Sequence, residues 1–220
     1  METSFARGKW DENEWLKFKS LRFDYVHGFK QEADHIVNES PEGISDEELY
    51  ASRVTEVYSS IVYREKLGGF GETALPKTVE VSATMSFDHL MAPLIVLTPQ
   101  LDQDDEGRYA FKKHVEVVLY NEGINVWHYR YENGQLKWYL AAFARAPFEP
   151  KRKYTLKVKV QAGRFAPRMT IECGKVKFGY EDEEIPASFY AGVTGCEGRN
   201  RFYDFKAVTS DERVDFAADA

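Results

Sequence analysis

From Val79 onward the chain reads as a series of short segments in which apolar and polar residues alternate, each closed by a tight-turn sequence. Val79, Val81, Ala83, Met85 and Phe87 are interleaved with Glu80, Ser82, Thr84, Ser86 and Asp88. Successive side chains of a strand point to opposite faces, so this period of two describes a strand with one face in a core and one toward water. Tyr154, Leu156, Val158 and Val160 repeat the pattern against Thr155, Lys157, Lys159 and Gln161. Asn133-Gly134, between segments 124–131 and 136–143, supplies the two residues that a tight hairpin turn needs at positive φ. Asn121-Glu122-Gly123 follows segment 115–120, and Gly174-Lys175 separates 169–173 from 176–180. Segments 189–194 and 202–208 complete the series. Strands at this spacing, joined by turns too short for a crossover helix, pair antiparallel. The expectation is an all-β, two-sheet antiparallel β-sandwich with one short helix, a single domain over 1–220.

The first third carries less pattern. Residues 31–37 read as one strand. Ser45-Asp46-Glu47-Glu48 has the spacing of a capping box, with Ser45 as N-cap and Glu48 three residues on, and this is the expected helix. Residues 54–66 read as strand on their content of Val54, Thr55, Val57, Tyr58, Ile61, Val62 and Tyr63. The tail after Thr209 is polar and Ala-rich and is expected to fray.

Composition excludes several classes. At 220 residues with 43% hydrophobic content, the chain can bury a sizeable core without staples. A net charge of −7 argues against nucleic acid or an anionic membrane surface as the main partner, since both reward a basic patch. No apolar run is long enough to span a membrane. The segment beginning Met1-Glu2-Thr3 shows no basic region followed by an apolar one, so no signal peptide is visible and the expected location is cytoplasmic. Cys173 and Cys196 are expected as buried thiols.

The path from His114 to Val208 resembles the closing half of the concanavalin A-like lectin/glucanase superfamily. The strand His114-Val-Glu-Val-Val-Leu-Tyr120 is followed by a turn and Ile124-Asn-Val-Trp-His-Tyr-Arg130. Then come the lysine-flanked strand Tyr154-Thr-Leu-Lys-Val-Lys-Val160, the hairpin Met169-Thr-Ile-Glu-Cys-Gly-Lys-Val-Lys-Phe178, and an ending Phe202-Tyr-Asp-Phe205. The resemblance implies a jelly roll that binds oligo- or polysaccharide on its concave face. The alternatives it leaves open are a glycoside hydrolase or polysaccharide lyase of the same fold, and a non-catalytic structural or interaction domain.

Several clusters are candidate sites. Hydrolases of this superfamily carry three alternating acids on one strand, one the nucleophile and another the acid/base. Here Glu32 and Asp34 offer two of them, with Ile36 in the third place. The lyase motifs find faint echoes in Tyr63-Arg64-Glu65 and Phe189-Tyr190-Ala191-Gly192. Glu197, between Gly195 and Gly198, is a candidate carboxylate, with Arg199 and Arg201 as guanidinium partners for it or for sugar hydroxyls. Trp127, Tyr129 and Tyr131 share one strand face, as core or as a stacking platform, with His128 and Arg130 on the other. His35 and His89 are candidate groove histidines at strand positions. No histidine spacing fits zinc, so no metal centre is expected. The acidic run 102–107 lacks the glutamate that would complete a calcium loop, since Lys113 stands there. The resemblance alone leaves room for a structural Ca²⁺ near Asp204.

Overall fold

The computed structural model describes residues 1–21, 28–39, 45, 48, 58–68 and 78–210. Its strands are β1 (Glu2–Ser4), β2 (Trp15–Ser20), β3 (Phe29–Gln31), β4 (Ile36–Asn38), β5 (Tyr58–Tyr63), β6 (Leu67–Gly68), β7 (Thr78–Phe87), β8 (Met91–Thr98), β9 (Ala110–Phe111), β10 (Lys113–Tyr120), β11 (Gly123–Glu132), β12 (Gln135–Arg145), β13 (Tyr154–Gln161), β14 (Arg168–Cys173), β15 (Val176–Glu181), β16 (Ser188–Cys196) and β17 (Asn200–Ser210). Among the described residues, an eight-stranded sheet runs β15-β14-β13-β7-β17-β4-β3, with β1 also on β17. A nine-stranded sheet runs β12-β11-β10-β8-β16-β5-β2-β9, with β6 also on β16. Among the described residues all strand pairings are antiparallel except β2 with β9. This is the expected all-β two-sheet sandwich.

The alternating residues fall where alternation places them. Val81, Ala83, Met85 and Phe87 of β7 are fully buried and meet Ile95, Leu97, Val115, Val117, Ile124, Val126 and Val193 of the other sheet. The nine-stranded sheet also buries part of its opposite, outer face. Phe18, Tyr58, Val62, Leu94, Val96, Phe111 and Cys196 form a second cluster there. The 99–111 segment folds over it, stacking Phe111 on Phe18 at 4.6 Å and Tyr109 on Phe18 at 5.4 Å. Strand β8 is therefore apolar on both faces, which is why it shows no alternation.

Two chain passages between the sheets sit side by side. One is the β7–β8 connection at 88–90, the other the β16–β17 connection at 197–199. The Asp88 N–H donates to the Arg199 carbonyl at 3.1 Å. Arg201 grips the Asp88 carboxylate with both terminal nitrogens, one of them at 3.0 Å. Glu197 and Gly198 take left-handed conformations at φ 56° and 77°. Buried Asn38 donates to the Gly198 carbonyl at 2.8 Å and accepts from the Asn200 N–H at 2.7 Å.

The first third departs from expectation in one place. Residues 31–37 are not one strand but a hairpin, with β3 and β4 paired through Gln31 and Ile36. The Gln31 amide makes the turn, donating to the carbonyls of Phe5, Glu32 and His35. Within 54–66, residues 58–63 are strand and 54–57 lie outside the described residues. The capping box is formed: Ser45 Oγ accepts from the Glu48 N–H at 3.1 Å, and the Glu48 carboxylate accepts from the Ser45 N–H at 2.9 Å. Asp46 and Glu47, and the tail after residue 210, lie outside the described residues. Asp104 explains the acidic loop: it pairs with Lys19 at 2.6 Å and Arg108 at 3.0 Å. No helix among the described residues is long and apolar enough to cross a membrane.

Among the described glycines, Gly192 leaves the least room for a side chain. A Cβ there would stand 1.9 Å from the Ile61 carbonyl oxygen and 2.7 Å from the Val62 Cα, both backbone atoms of paired β5. Gly192→Ala is expected to lower the unfolding free energy by about 2–3 kcal/mol, read as a lower urea midpoint at unchanged slope.

Candidate functional site

The candidate residues separate into three places. Glu32, Asp34 and His35 occupy the β3–β4 turn, not a strand face, so the expected same-face carboxylate pair does not form. Glu32 pairs with Lys30 at 2.8 Å, and Asp34 with His35 at 2.6 Å and Lys153 at 3.4 Å. The Lys30 ammonium beside Glu32, and the His35 hydrogen bond with the Lys153 charge beside Asp34, hold both carboxyls below the usual carboxylate range. A general acid needs the opposite shift. His89 is likewise not on a strand but in the bend that joins β7 to β8. Glu197 and Arg199 belong to the neighbouring passage and Arg201 to the start of β17, with its guanidinium on Asp88. Burial alone would raise the Asp88 pKa, but the Arg201 bond and the charges of Arg201, Arg199 and Lys151 outweigh it and lower it. This cluster fastens two sheet-to-sheet passages together.

Trp127 and Tyr129 lie elsewhere, on the outer face of the nine-stranded sheet near its β12 edge. Ile124, Val126 and His128 of β11 point into the sandwich, so Trp127, Tyr129 and Tyr131 point out. Tyr129 is buried and stacks flat on His114 of β10, with centroids 4.7 Å apart and planes 4° from parallel. Trp127 is half-buried. Strand β12 adds Trp138 opposite Tyr129 and Leu140 opposite Trp127. The outer residues of this strip are open to solvent: Trp138 is 57% exposed, Leu140 41% and Tyr131 37%.

Beneath this aromatic strip lies a polar group that composition and motif did not single out. Glu116 of β10 is only 7% exposed. Its Oε1 accepts from the Tyr58 hydroxyl at 3.1 Å and lies 3.2 Å from His114 Nε2. Burial, and then the Glu116 charge, push the Tyr58 hydroxyl well above its ordinary pKa, so it remains a donor. Tyr58, His114, Glu116, Tyr129 and Cys196 are among the walls of a recess of about 10 Å³. A larger cleft of about 260 Å³ shares His114 and Tyr129 with it and reaches Trp138, Tyr139, Arg130 and Glu184. His114-Val115-Glu116 has the strand period that puts both side chains on one face, and that spacing was the available signal.

Inside the sandwich edge, His128 Nε2 lies 2.7 Å from the Tyr180 hydroxyl of β15, a bond between the two sheets. His128 also stacks on Tyr139 at 5.0 Å. Tyr139 donates to Asp182 at 2.9 Å. Among the described residues, no group of three or more His, Cys, Asp or Glu is placed to hold a metal ion. Asp204 accepts the Thr84 N–H at 2.9 Å.

No family model and no curated protein sequence matches the chain. Solved structures do. The carbohydrate binding module CBM66 from Bacillus subtilis superposes with a TM-score of 0.54 at 12% identity, covering 88% of this chain and 94% of that one. A glycoside hydrolase family 16 endo-glucanase from Bacteroides ovatus gives 0.55 at 9%, covering 94% and 99%. The winged bean acidic lectin, complexed with methyl-α-D-galactose, gives 0.55 at 7%, covering 96% and 98%. The fold is a concanavalin A-like jelly roll. At these identities the likeness concerns the jelly roll alone.

His128 gives this jelly roll a pH dependence. Burial lowers its pKa from the ordinary value of 6.5, against the opposing charges of Asp182 and Glu184. The unfolded chain then binds the proton more readily, so this contribution to stability is present above about pH 6.5 and is lost as pH falls below it. Urea unfolding at pH 7.5 and 5.5 should show the loss, and His128→Gln should remove its part of the slope.

Proposed function

We propose that the protein binds oligo- or polysaccharide on the outer face of the nine-stranded sheet, across β10–β12. The observation that carries this reading is the aromatic strip of exposed Tyr131 and Trp138 with half-buried Trp127. A cleft of about 260 Å³ at the sheet edge shares Trp138 with it and is otherwise lined mainly by inward-facing residues such as His128, Arg130 and Tyr139. Exposed aromatic faces stack on the C–H faces of pyranose rings, and the neighbouring polar side chains supply partners for hydroxyls. A soluble fold gains no stability from leaving a tryptophan 57% exposed, and such exposed aromatic surface marks contact sites. The similarity to a carbohydrate binding module and to a lectin supports the same reading.

The catalytic alternative has less support. Glu32 and Asp34 lie in an exposed turn, paired with Lys30 and His35 and held below the usual carboxylate range, and Glu197 lies in the passage between sheets. Glycosidic hydrolysis by paired carboxylates needs the two about 5–10 Å apart around one bond.

A glycan array should identify a retained saccharide, and titration calorimetry should give its affinity. Trp138→Ala is expected to weaken that affinity by about tenfold or more while leaving thermal stability nearly unchanged, because the side chain is exposed. Retention of no glycan by the wild-type chain would refute the reading.

A further inference from the structure

We infer that Glu116 and His114 form the floor of this face, where they read a hydroxyl of an uncharged sugar ring. The inference rests on the carbohydrate reading above and goes beyond it by naming the polar partners and the ligand class. Glu116 Oε1 is occupied by Tyr58 and His114, but no described residue donates to its Oε2. His114 Nδ1 is buried with no protein partner among the described residues. With the ring proton on Nε2, toward the Glu116 carboxylate 3.2 Å away, Nδ1 is an acceptor. The floor therefore presents two unused acceptors, Glu116 Oε2 and the buried His114 Nδ1, and an unmet buried polar group is costly. A sugar hydroxyl brings the donor that such a floor lacks.

A uronic acid fits poorly for two reasons. Its carboxylate has no proton to donate at neutral pH and carries the same charge as Glu116. The recess of about 10 Å³ also has room for about one water-sized oxygen, which matches a hydroxyl and not a planar carboxylate. The cations at the rim do not reverse this preference. Lys113 and Arg130 are paired with Glu184 at 2.6 and 3.2 Å, and Lys137 with Glu132 at 3.1 Å.

The test is calorimetric titration of the full chain with two panels. One holds neutral tetrasaccharides of glucose, mannose and galactose. The other holds tetramers of mannuronate, guluronate and galacturonate. The expected result is binding of a neutral member, weakened about tenfold or more by Glu116→Gln, which removes a charged acceptor at constant shape. Preferential binding of a uronate would overturn the inference. So would a Glu116→Gln variant with wild-type affinity beside a Trp138→Ala variant that has lost it, a result that leaves the carbohydrate reading intact. Binding of neither panel would remove that reading and this inference together. If Glu116→Gln does not fold, the comparison of the two panels on the wild-type chain decides.

Discussion

The apolar faces of β7 and β17 on one sheet and of β8 and β16 on the other meet along the middle of the sandwich, and the rest of the molecule is arranged around keeping them together. Burying two sheet faces against each other supplies most of the driving force in a fold of this kind. It also forces the chain to pass from one layer to the other. Two of those passages, β7 to β8 and β16 to β17, lie next to each other at one end. There the backbone must bend sharply while leaving sheet pairing, so its polar groups need other partners. The side chains of Asn38 and Asn200 and the Asp88 N–H provide them, and the Arg201–Asp88 ion pair ties the two passages together. A charged, glycine-rich stretch that reads as a binding loop is thus explained by the demands of the core.

The same demand separates the two faces of the nine-stranded sheet. One faces the sandwich core, with Arg130, Lys137 and Tyr139 reaching solvent at its β12 edge. The other is sealed at the β2–β5–β8 side by Phe18, Tyr58, Val62 and Phe111, and left open toward β11 and β12. Glu116 sits where the sealed part meets the open part. Its carboxylate keeps hydrogen bonds from Tyr58 and the His114 ring while lying within reach of the aromatic strip. A buried carboxylate is tolerable only with such bonds. Keeping it at the border of an open face, instead of replacing it with an apolar residue, is what singles it out as a binding group.

Local signals proved reliable where they concern neighbours in sequence. The hairpins at Asn121-Glu122-Gly123, Asn133-Gly134 and Gly174-Lys175 join the strands that the turn residues predict. Alternation placed Val79 to Phe87 and Tyr154 to Val160 on the correct faces. The signals fail where a residue's role depends on distant partners. Residues 31–37 break into a hairpin because Gln31 finds the Phe5 carbonyl. Strand β8 hides because it is covered on both sides.

The sequence by itself determined an all-β sandwich, its hairpins, and the sharing of one face by Trp127, Tyr129 and Tyr131, because turns and strand period are properties of adjacent residues. Only the tertiary structure decided which face of β11 is covered. It alone brought Tyr58 to Glu116 across 58 positions of chain, and committed Arg201 to Asp88. Those outcomes follow from how two sheets stack and which strands become neighbours, and strand order between distant segments is not encoded in any local pattern.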